Sequence, residues 1–500
     1  MAGAQSNQKE IPDMDYIRTA ADGQLVFEQS TEYLQIPSCL FGFHNTETLV
    51  GKAASGRTVY CFQGNLDLPE SERHCKCGKR MHINSHPDIT LRHLCFGGDL
   101  SCLRFPHIQL RCSSCGAVKE QFISFKASGH MITDALYQYT RDLLALQTFT
   151  NKQVAEITGL GKNVVKEIDK KRLQEKYTID GEKLIKPERQ SKYLGIDEFK
   201  LHDGHRYATH IIDMESGHIL WIAKGKTKQV VYDFIEHVGM DWMEGVEAVA
   251  CDMNSDFQEA FEDSCEWIQP VFDHFHIVKN FNDKVVSEIR KDEQRRLYEE
   301  GNIDAAKALK KTRYILTSNR STLRKKDEEA AEGKILHKGS DLFKTEDIVR
   351  KGGHEARYDE LLMENKLLFT VDLIKEKLAD AYRMTDEAKM ADKIIDIMVV
   401  CEATGNTHLL WFRKLLDEHF EGIIAHATYQ ISAGKIEGIN QRIKTLRRHG
   451  YGYPDDEYFF LKLFDMSRQD YVRNVPSHRL LLFTGQLETK RAPIYTDKCR

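Results

Sequence analysis

No stretch of this 500-residue chain is apolar for long enough to span a bilayer, which takes about 20 consecutive residues as a helix. The opening residues, Met-Ala-Gly-Ala-Gln-Ser-Asn-Gln-Lys-Glu, lack the apolar core of a secretory signal. A cytoplasmic protein is therefore expected. Excess positive charge is also missing: 71 Lys and Arg stand against 76 Asp and Glu, a net charge of −5. The chain as a whole does not advertise a nucleic-acid binder, although its basic residues are segregated. Cysteine is sparse outside one region. Of 12 cysteines, eight fall between Cys39 and Cys115, leaving Cys251, Cys265, Cys401 and Cys499. Without a secretory signal, such a cluster favours metal over disulfide. The length suggests about three domains.

Residues 1–60 read as an N-terminal extension of unknown role, with Tyr16 to Leu34 compatible with a small α/β cap. Residues 61–128 carry two knuckles, His-Cys-Lys-Cys-Gly from His74 and Cys-Ser-Ser-Cys-Gly from Cys112. Two thiolates separated by two residues and followed by a turn glycine suit a zinc ribbon. Cys75 and Cys77 have only one residue between them, so the expected ligands are Cys77, Cys112, Cys115 and either Cys75 or His74. His82, His86, Cys95 and Cys102 lie in the loop between. Residues 129–190 read as a helix-turn-helix domain: Ala155 is small where helices cross, Gly159 permits the turn, and Val164, Val165 and Ile168 anchor the second helix. Lys162, Asn163, Lys166 and Lys170 are its candidate DNA-binding residues. From Arg141 to Lys192 there are 12 basic and 8 acidic residues, locally +4, the footprint expected of DNA binding.

Residues 191–282 have the order strand, strand, strand, helix, strand. Tyr193 to Phe199 carries Asp197, Met-Glu-Ser-Gly separates two strands as a hairpin signal, and Val230, Val231, Phe234, Ile235 and Val238 have helical spacing. The strand Val249-Ala250-Cys251 ends in Asp252. This order looks like a ribonuclease-H-like nucleotidyltransferase core, in which the first and fourth strands lie side by side and Asp197 meets Asp252. Paired carboxylates suit Mg²⁺, a hard cation held by few protein oxygens. Val271 and Phe272 make a fifth strand. Asp273 and His276 follow, either approaching the metal site or capping a helix, with capping the plainer role. Residues 283–420 read as an all-helical insertion with solvated charged faces. In residues 421–470, Ile436, Ile439, Ile443 and Leu446 share a buried helical face. Glu437, Gln441, Lys444 and Arg448 share another, with Lys444 and Arg448 suited to phosphates. Glu418 and Glu421 are rivals to Glu437 as a third carboxylate. Residues 471–500 form a C-terminal tail.

Taken together these pieces resemble the transposases of bacterial insertion sequences, specifically the ISL-three (ISL3) family, from about His74 to Tyr453. Gly195-Ile196-Asp197-Glu198, Cys251-Asp252-Met253, Phe272 to His276, Lys311-Thr312-Arg313-Tyr314-Ile315-Leu316, Leu378 to Tyr382 and Ser432 through Gly452 carry the likeness. The resemblance implies a catalytic triad of Asp197, Asp252 and Glu437 binding two Mg²⁺ (or Mn²⁺) ions, and one structural Zn²⁺ in the ribbon. It implies binding to the element's terminal repeats and to target DNA, strand cleavage and strand transfer, and a homo-oligomer in the DNA complex at the nucleoid. The alternatives are a domesticated DNA-binding protein and a ribonuclease-H-like nuclease that cuts without joining.

Overall fold

A computed structural model describes residues 17–19, 25–27, 40, 42–204, 206–253, 255–272, 274–337, 346–431, 434–450 and 452–468. Asp273, Ser432, Ala433 and the expected tail at 471–500 lie outside them, as does most of the expected cap at 16–34. Within that cap the strands Ile17–Thr19 and Leu25–Phe27 pair antiparallel. The described chain forms two compact units, one drawn from residues up to 184 with 447–462, the other from 185–446 with 463–468.

The first unit begins with a four-stranded sheet ordered Phe43–Lys52, Thr58–Leu66, Asp99–Pro106, Asp88–Phe96. Residue 60 thus falls inside a strand, and the sheet continues across it. Phe62, Leu91, Leu103 and Phe105 bury on one face and give this small sheet its core. A three-stranded sheet, His82–Ser85, Gln109–Arg111 and Val118–Glu120, carries the knuckles.

Three helices follow, Asp134–Ala145, Asn151–Thr158 and Lys162–Tyr177, packed through Leu136, Leu144, Val154, Ala155, Val165 and Ile168. The second starts with a capping box: the Thr150 hydroxyl accepts from Gln153 N at 3.2 Å, and the Gln153 side chain accepts from Thr150 N at 2.8 Å. It stops at Gly159, where φ is +68° and a Cβ would come within 2.7 Å of Arg92 and Leu100. The third helix is tied to the segment Asp455–Lys462 by a buried Asp169. Its carboxylate accepts from Arg172 at 2.8 Å, Tyr458 at 2.6 Å and Lys462 at 3.0 Å. Removing one partner from such a buried charge set costs about 3–5 kcal/mol.

The second unit is built on a five-stranded sheet. Its strands are β1 (Tyr193–His202), β2 (Arg206–Asp213), β3 (Ile219–Lys224), β4 (Ala248–Cys251) and β5 (Gln269–Phe272), in the order β3-β2-β1-β4-β5. The first three are antiparallel, and β1, β4 and β5 run parallel. In the β2–β3 turn the Asp213 carboxylate accepts from Ser216 N at 3.0 Å, and Gly217 takes φ +76°. Helix α1 (Gln229–Val238) buries the five apolar residues that the 3.6-residue period marks, and α2 (Ser255–Ser264) packs beside it. After α3 (His274–Asn280) comes a π-helical turn, Phe281–Val286.

Among the described residues, the region expected to be all-helical is helical apart from Ile335–His337 and Ile348–Val349, which pair as an antiparallel ribbon after Gly333, at φ +70°, follows the end of the helix Arg320–Ala331. Its longer helices, among them Lys366–Ala381, Glu387–Ala403 and Thr407–Glu418, share one continuous apolar core with the sheet.

Candidate functional site

Parallel register brings two carboxylates level. Gly195 on β1 sits opposite Ala250 on β4, so Asp197 and Asp252, each two residues further on, emerge at the same height. Asp197 is half-buried and Asp252 exposed. Burial pushes the Asp197 carboxyl above the usual range, and the negative charge of Asp252 pushes the same way. Glu198 is raised too, by burial first and then by the charges of Asp197 and Asp252. His276 on α3 places Nδ1 3.3 Å from Asp252 Oδ1. It lies inside the helix, so it approaches the carboxylates instead of capping, the role favoured from sequence. Asp273 lies outside the described residues.

Helix α4 (Gly434–His449) reaches the same place. Lys435 donates to the Met214 carbonyl at 2.7 Å. Ile436 packs so closely on β1 that a Cβ on Gly195 would lie 2.9 Å from it and 2.5 Å from Met214 Sδ. One turn on, Asn440 Nδ2 donates to Asp197 Oδ2 at 2.6 Å. Asn440 was missed from sequence. Its spacing of three from Glu437 was the signal, since it puts both on one helical face. Ile436, Ile439 and Ile443 are buried while Glu437, Gln441, Lys444 and Arg448 are exposed, the division of faces the periodicity predicts, except that Leu446, also expected to be buried, is only half-buried. Glu437 does not crowd the aspartates: among the described residues, the one group of three or more metal-binding side chains with ligand atoms all within 4.8 Å is a set of cysteines. Of the rivals, Glu418 pairs with Lys414 at 3.4 Å.

That set is Cys75, Cys77, Cys112 and Cys115. Cys75 and Cys115 have sulfurs 3.4 Å apart, and Cys77 and Cys112 3.6 Å. Four thiolates around Zn²⁺ at about 2.3 Å would stand about 3.8 Å apart in a tetrahedron, so the donor set fits that ion. Each knuckle is a tight turn closed by backbone bonds, Gly78 N to Cys75 O and Gly116 N to Cys112 O, with the glycines at φ +80° and +72°. N–H groups of Cys115 and Ser114 hold the Cys112 thiol down to about 6. Of the alternatives Cys75 and His74, the cluster contains Cys75. His74 Nδ1 instead sits 3.0 Å from the Glu70 carbonyl. His82 and His86 are exposed, and Cys102 is buried in the neighbouring sheet beside Cys61.

On the helix Lys162–Tyr177, Lys162 and Asn163 are exposed. Lys166 pairs with Asp455 at 2.9 Å, and Lys170 pairs with Asp455 at 3.4 Å and Glu457 at 2.9 Å. Two of the four expected phosphate contacts are therefore engaged within the protein.

The chain thus combines a mixed α/β domain with an N-terminal β region that holds four clustered cysteines. The model of the ISL3 DDE transposase family, described as Transposase, matches residues 194–463, and the chain belongs to that family. It is 29% identical over 361 residues to the transposase for insertion sequence element IS1001 of Bordetella parapertussis, covering 72% of this chain and 80% of the relative. It is 24% identical over 279 residues to the transposase for insertion sequence element IS1557 of Mycobacterium tuberculosis, covering 55% of this chain and 60% of that one. No helix among the described residues is long and apolar enough to cross a membrane.

Proposed function

We propose that this protein is the transposase of an insertion sequence, binding the element's terminal repeats and catalysing metal-dependent strand cleavage and strand transfer. The observation that carries the reading is the meeting of β1, β4 and α4, with Asp197 level with Asp252 and held by Asn440. The strand order β3-β2-β1-β4-β5, antiparallel then parallel, supports a ribonuclease-H-like core, and the helical region between Asp252 and Glu437 is its insertion. Asp197, Asp252 and Glu437 are the residues that would hold two Mg²⁺ or Mn²⁺ ions. Glu437 is assigned because it lies between Ile436, packed on Gly195, and Asn440, bonded to Asp197.

When bound, such ions stabilise the attacking and leaving oxygens of an in-line phosphoryl displacement. The protein's own groups do the positioning. Asn440 fixes one oxygen of Asp197, and Glu198 N fixes the other at 2.7 Å. His276 Nδ1 and Met253 N both approach Asp252 Oδ1, at 3.3 and 2.7 Å. Burial first, and the Asp252 charge after it, keep the Asp197 carboxyl above the usual range, a penalty that bound cations would offset. No covalent protein–DNA intermediate is needed, so no Ser or Tyr nucleophile is assigned.

The four cysteines would hold one Zn²⁺ that fixes the ribbon. End recognition falls to the ribbon and to the helix Lys162–Tyr177, acting as the second helix of a helix-turn-helix, with Lys444 and Arg448 tracking phosphates nearer the centre. The two assemblies of DNA, ends and target, imply a homo-oligomer working at the nucleoid. The test is a strand-transfer assay with purified protein, Mg²⁺ and DNA carrying the sequences that flank its gene. Joined products support transposition, nicks without joining indicate a nuclease, and binding without either indicates a DNA-binding protein alone.

A further inference from the structure

Helix α3 has a second use beyond presenting His276 to Asp252. Phe275 and Lys279, four residues apart and so on one face, line a groove of about 580 Å³ together with Asn282, Lys311, Arg313 and Tyr314. The volume falls in the range of about 300–1,000 Å³ that accommodates small-molecule-sized ligands. Two aromatic rings stand exposed at it, Phe275 at 56% and Tyr314 at 49%. Tyr314 is held in place by a contact of its hydroxyl with His354 Nδ1 at 3.1 Å, and its ring meets the His354 ring edge-on at 5.7 Å.

The charge at the groove is net positive, with Lys279, Lys311 and Arg313 against Asp283. Arg313 is pinned by Asp283 at 2.7 Å and by Ser287 at 3.0 Å. Lys279 and Lys311 are exposed and have no ion-pair partner among the described residues. The backbone at the groove is also unusual. Lys311 takes φ +64°, a left-handed conformation that costs a non-glycine residue free energy and concentrates at functional sites. Its neighbour Thr312 is buried and locked by a bond from its hydroxyl to Leu309 O at 2.7 Å. On the facing side runs the π-helical turn Phe281–Val286, a rare form frequent at functional sites. Within that turn the enclosed amide oxygen of Asn282 has no hydrogen-bond partner.

We propose that this groove holds an unpaired DNA base next to the catalytic carboxylates, stacked on Phe275 and Tyr314, with Lys279 and Lys311 on the adjoining phosphates. The inference rests on the transposase reading. Duplex DNA offers phosphates to cations but keeps its base faces stacked, so it gives two exposed rings nothing to meet. A single strand, or a base turned out of the duplex, presents both a π face and a phosphate.

The test compares a mixed-sequence 20-nucleotide single strand with its duplex, by fluorescence anisotropy at one fixed salt concentration. The double variant Phe275→Ala/Tyr314→Ala should weaken single-strand binding by about tenfold or more, with duplex binding within about twofold of wild type. Equal losses on both probes, or no loss on either, overturn the groove. Phe275→Trp keeps a stacking ring and should keep single-strand affinity. Its added indole fluorescence should quench on adding the single strand and not on adding the duplex, a readout that survives if the double variant misfolds. Absence of that selective quenching also overturns the proposal. Wild-type protein that binds neither probe would instead defeat the transposase reading itself.

Discussion

Asn440 donates to Asp197 across 2.6 Å, from a helix 243 residues further along the chain. The contact adds a second hold on a carboxylate whose other oxygen accepts from Glu198 N, and it ties the helix that carries Glu437 one turn earlier to that carboxylate. Asn440→Ala should lower strand transfer by about tenfold to a hundredfold, as loss of a positioning hydrogen bond does, while end binding stays within about twofold. Raised Mn²⁺ should rescue it in part. Equal loss of end binding would show that the residue supports the fold and not the site.

The cysteine cluster predicts about one zinc per chain on elemental analysis of protein purified without chelator. Cys112→Ser should release the metal and unfold the ribbon, whereas His74→Ala should leave the zinc content unchanged, because His74 faces Glu70. Zinc retained by Cys112→Ser but lost from His74→Ala would reverse the assignment.

For the helix Lys162–Tyr177 the ion pairs make a graded expectation. Lys162→Ala should reduce the slope of log affinity against log salt by about one for end-containing DNA. Lys166→Ala should have a smaller effect, since Asp455 already neutralises Lys166. Asp455→Asn should tighten DNA binding and enlarge the Lys166→Ala effect. Identical salt slopes in all three variants would place recognition on another surface.

Much of this was legible beforehand, for physical reasons that can be named. The strand and helix periods around Asp197 and α1 survive because one apolar face of each is buried in a single core, and burial enforces period. Gly159 announces a turn through local chemistry alone. The spacing of Cys75 and Cys77 did not reveal which side chain joins the cluster, since only the backbone turn at Gly78 settles it. Nor could local pattern show that Lys166 meets Asp455 or that His276 meets Asp252, because those pairs depend on packing between distant segments.

Acid should weaken the first unit through His93. It is buried against Thr133, 2.9 Å away, and burial holds its pKa down to about 4. The unfolded chain binds its proton near pH 6.5, so between 6.5 and 4 unfolding takes up a proton. Stability is full above pH 6.5 and falls as pH drops towards 4, by on the order of 3 kcal/mol. Unfolding curves across this range should show His93→Gln taking up about one proton fewer. An unchanged pH slope would mean that His93 is protonated in the native state.

The most direct test of the central claim is strand transfer by Asp197→Asn, Asp252→Asn and Glu437→Gln, each with a pre-cut element end and Mg²⁺. These changes keep size and remove charge. Because burial and the Asp252 charge penalise an ionised Asp197 without cations, and Asp252 and Glu437 are exposed, folding stability should hold or rise. Joined product should fall by about a thousandfold or more in every variant, a barrier increase of about 4 kcal/mol, with end binding within about twofold of wild type. Joining retained by Glu437→Gln but lost from Asp197→Asn would mean that the third carboxylate lies elsewhere, and joining retained by all three would contradict the catalytic centre described here.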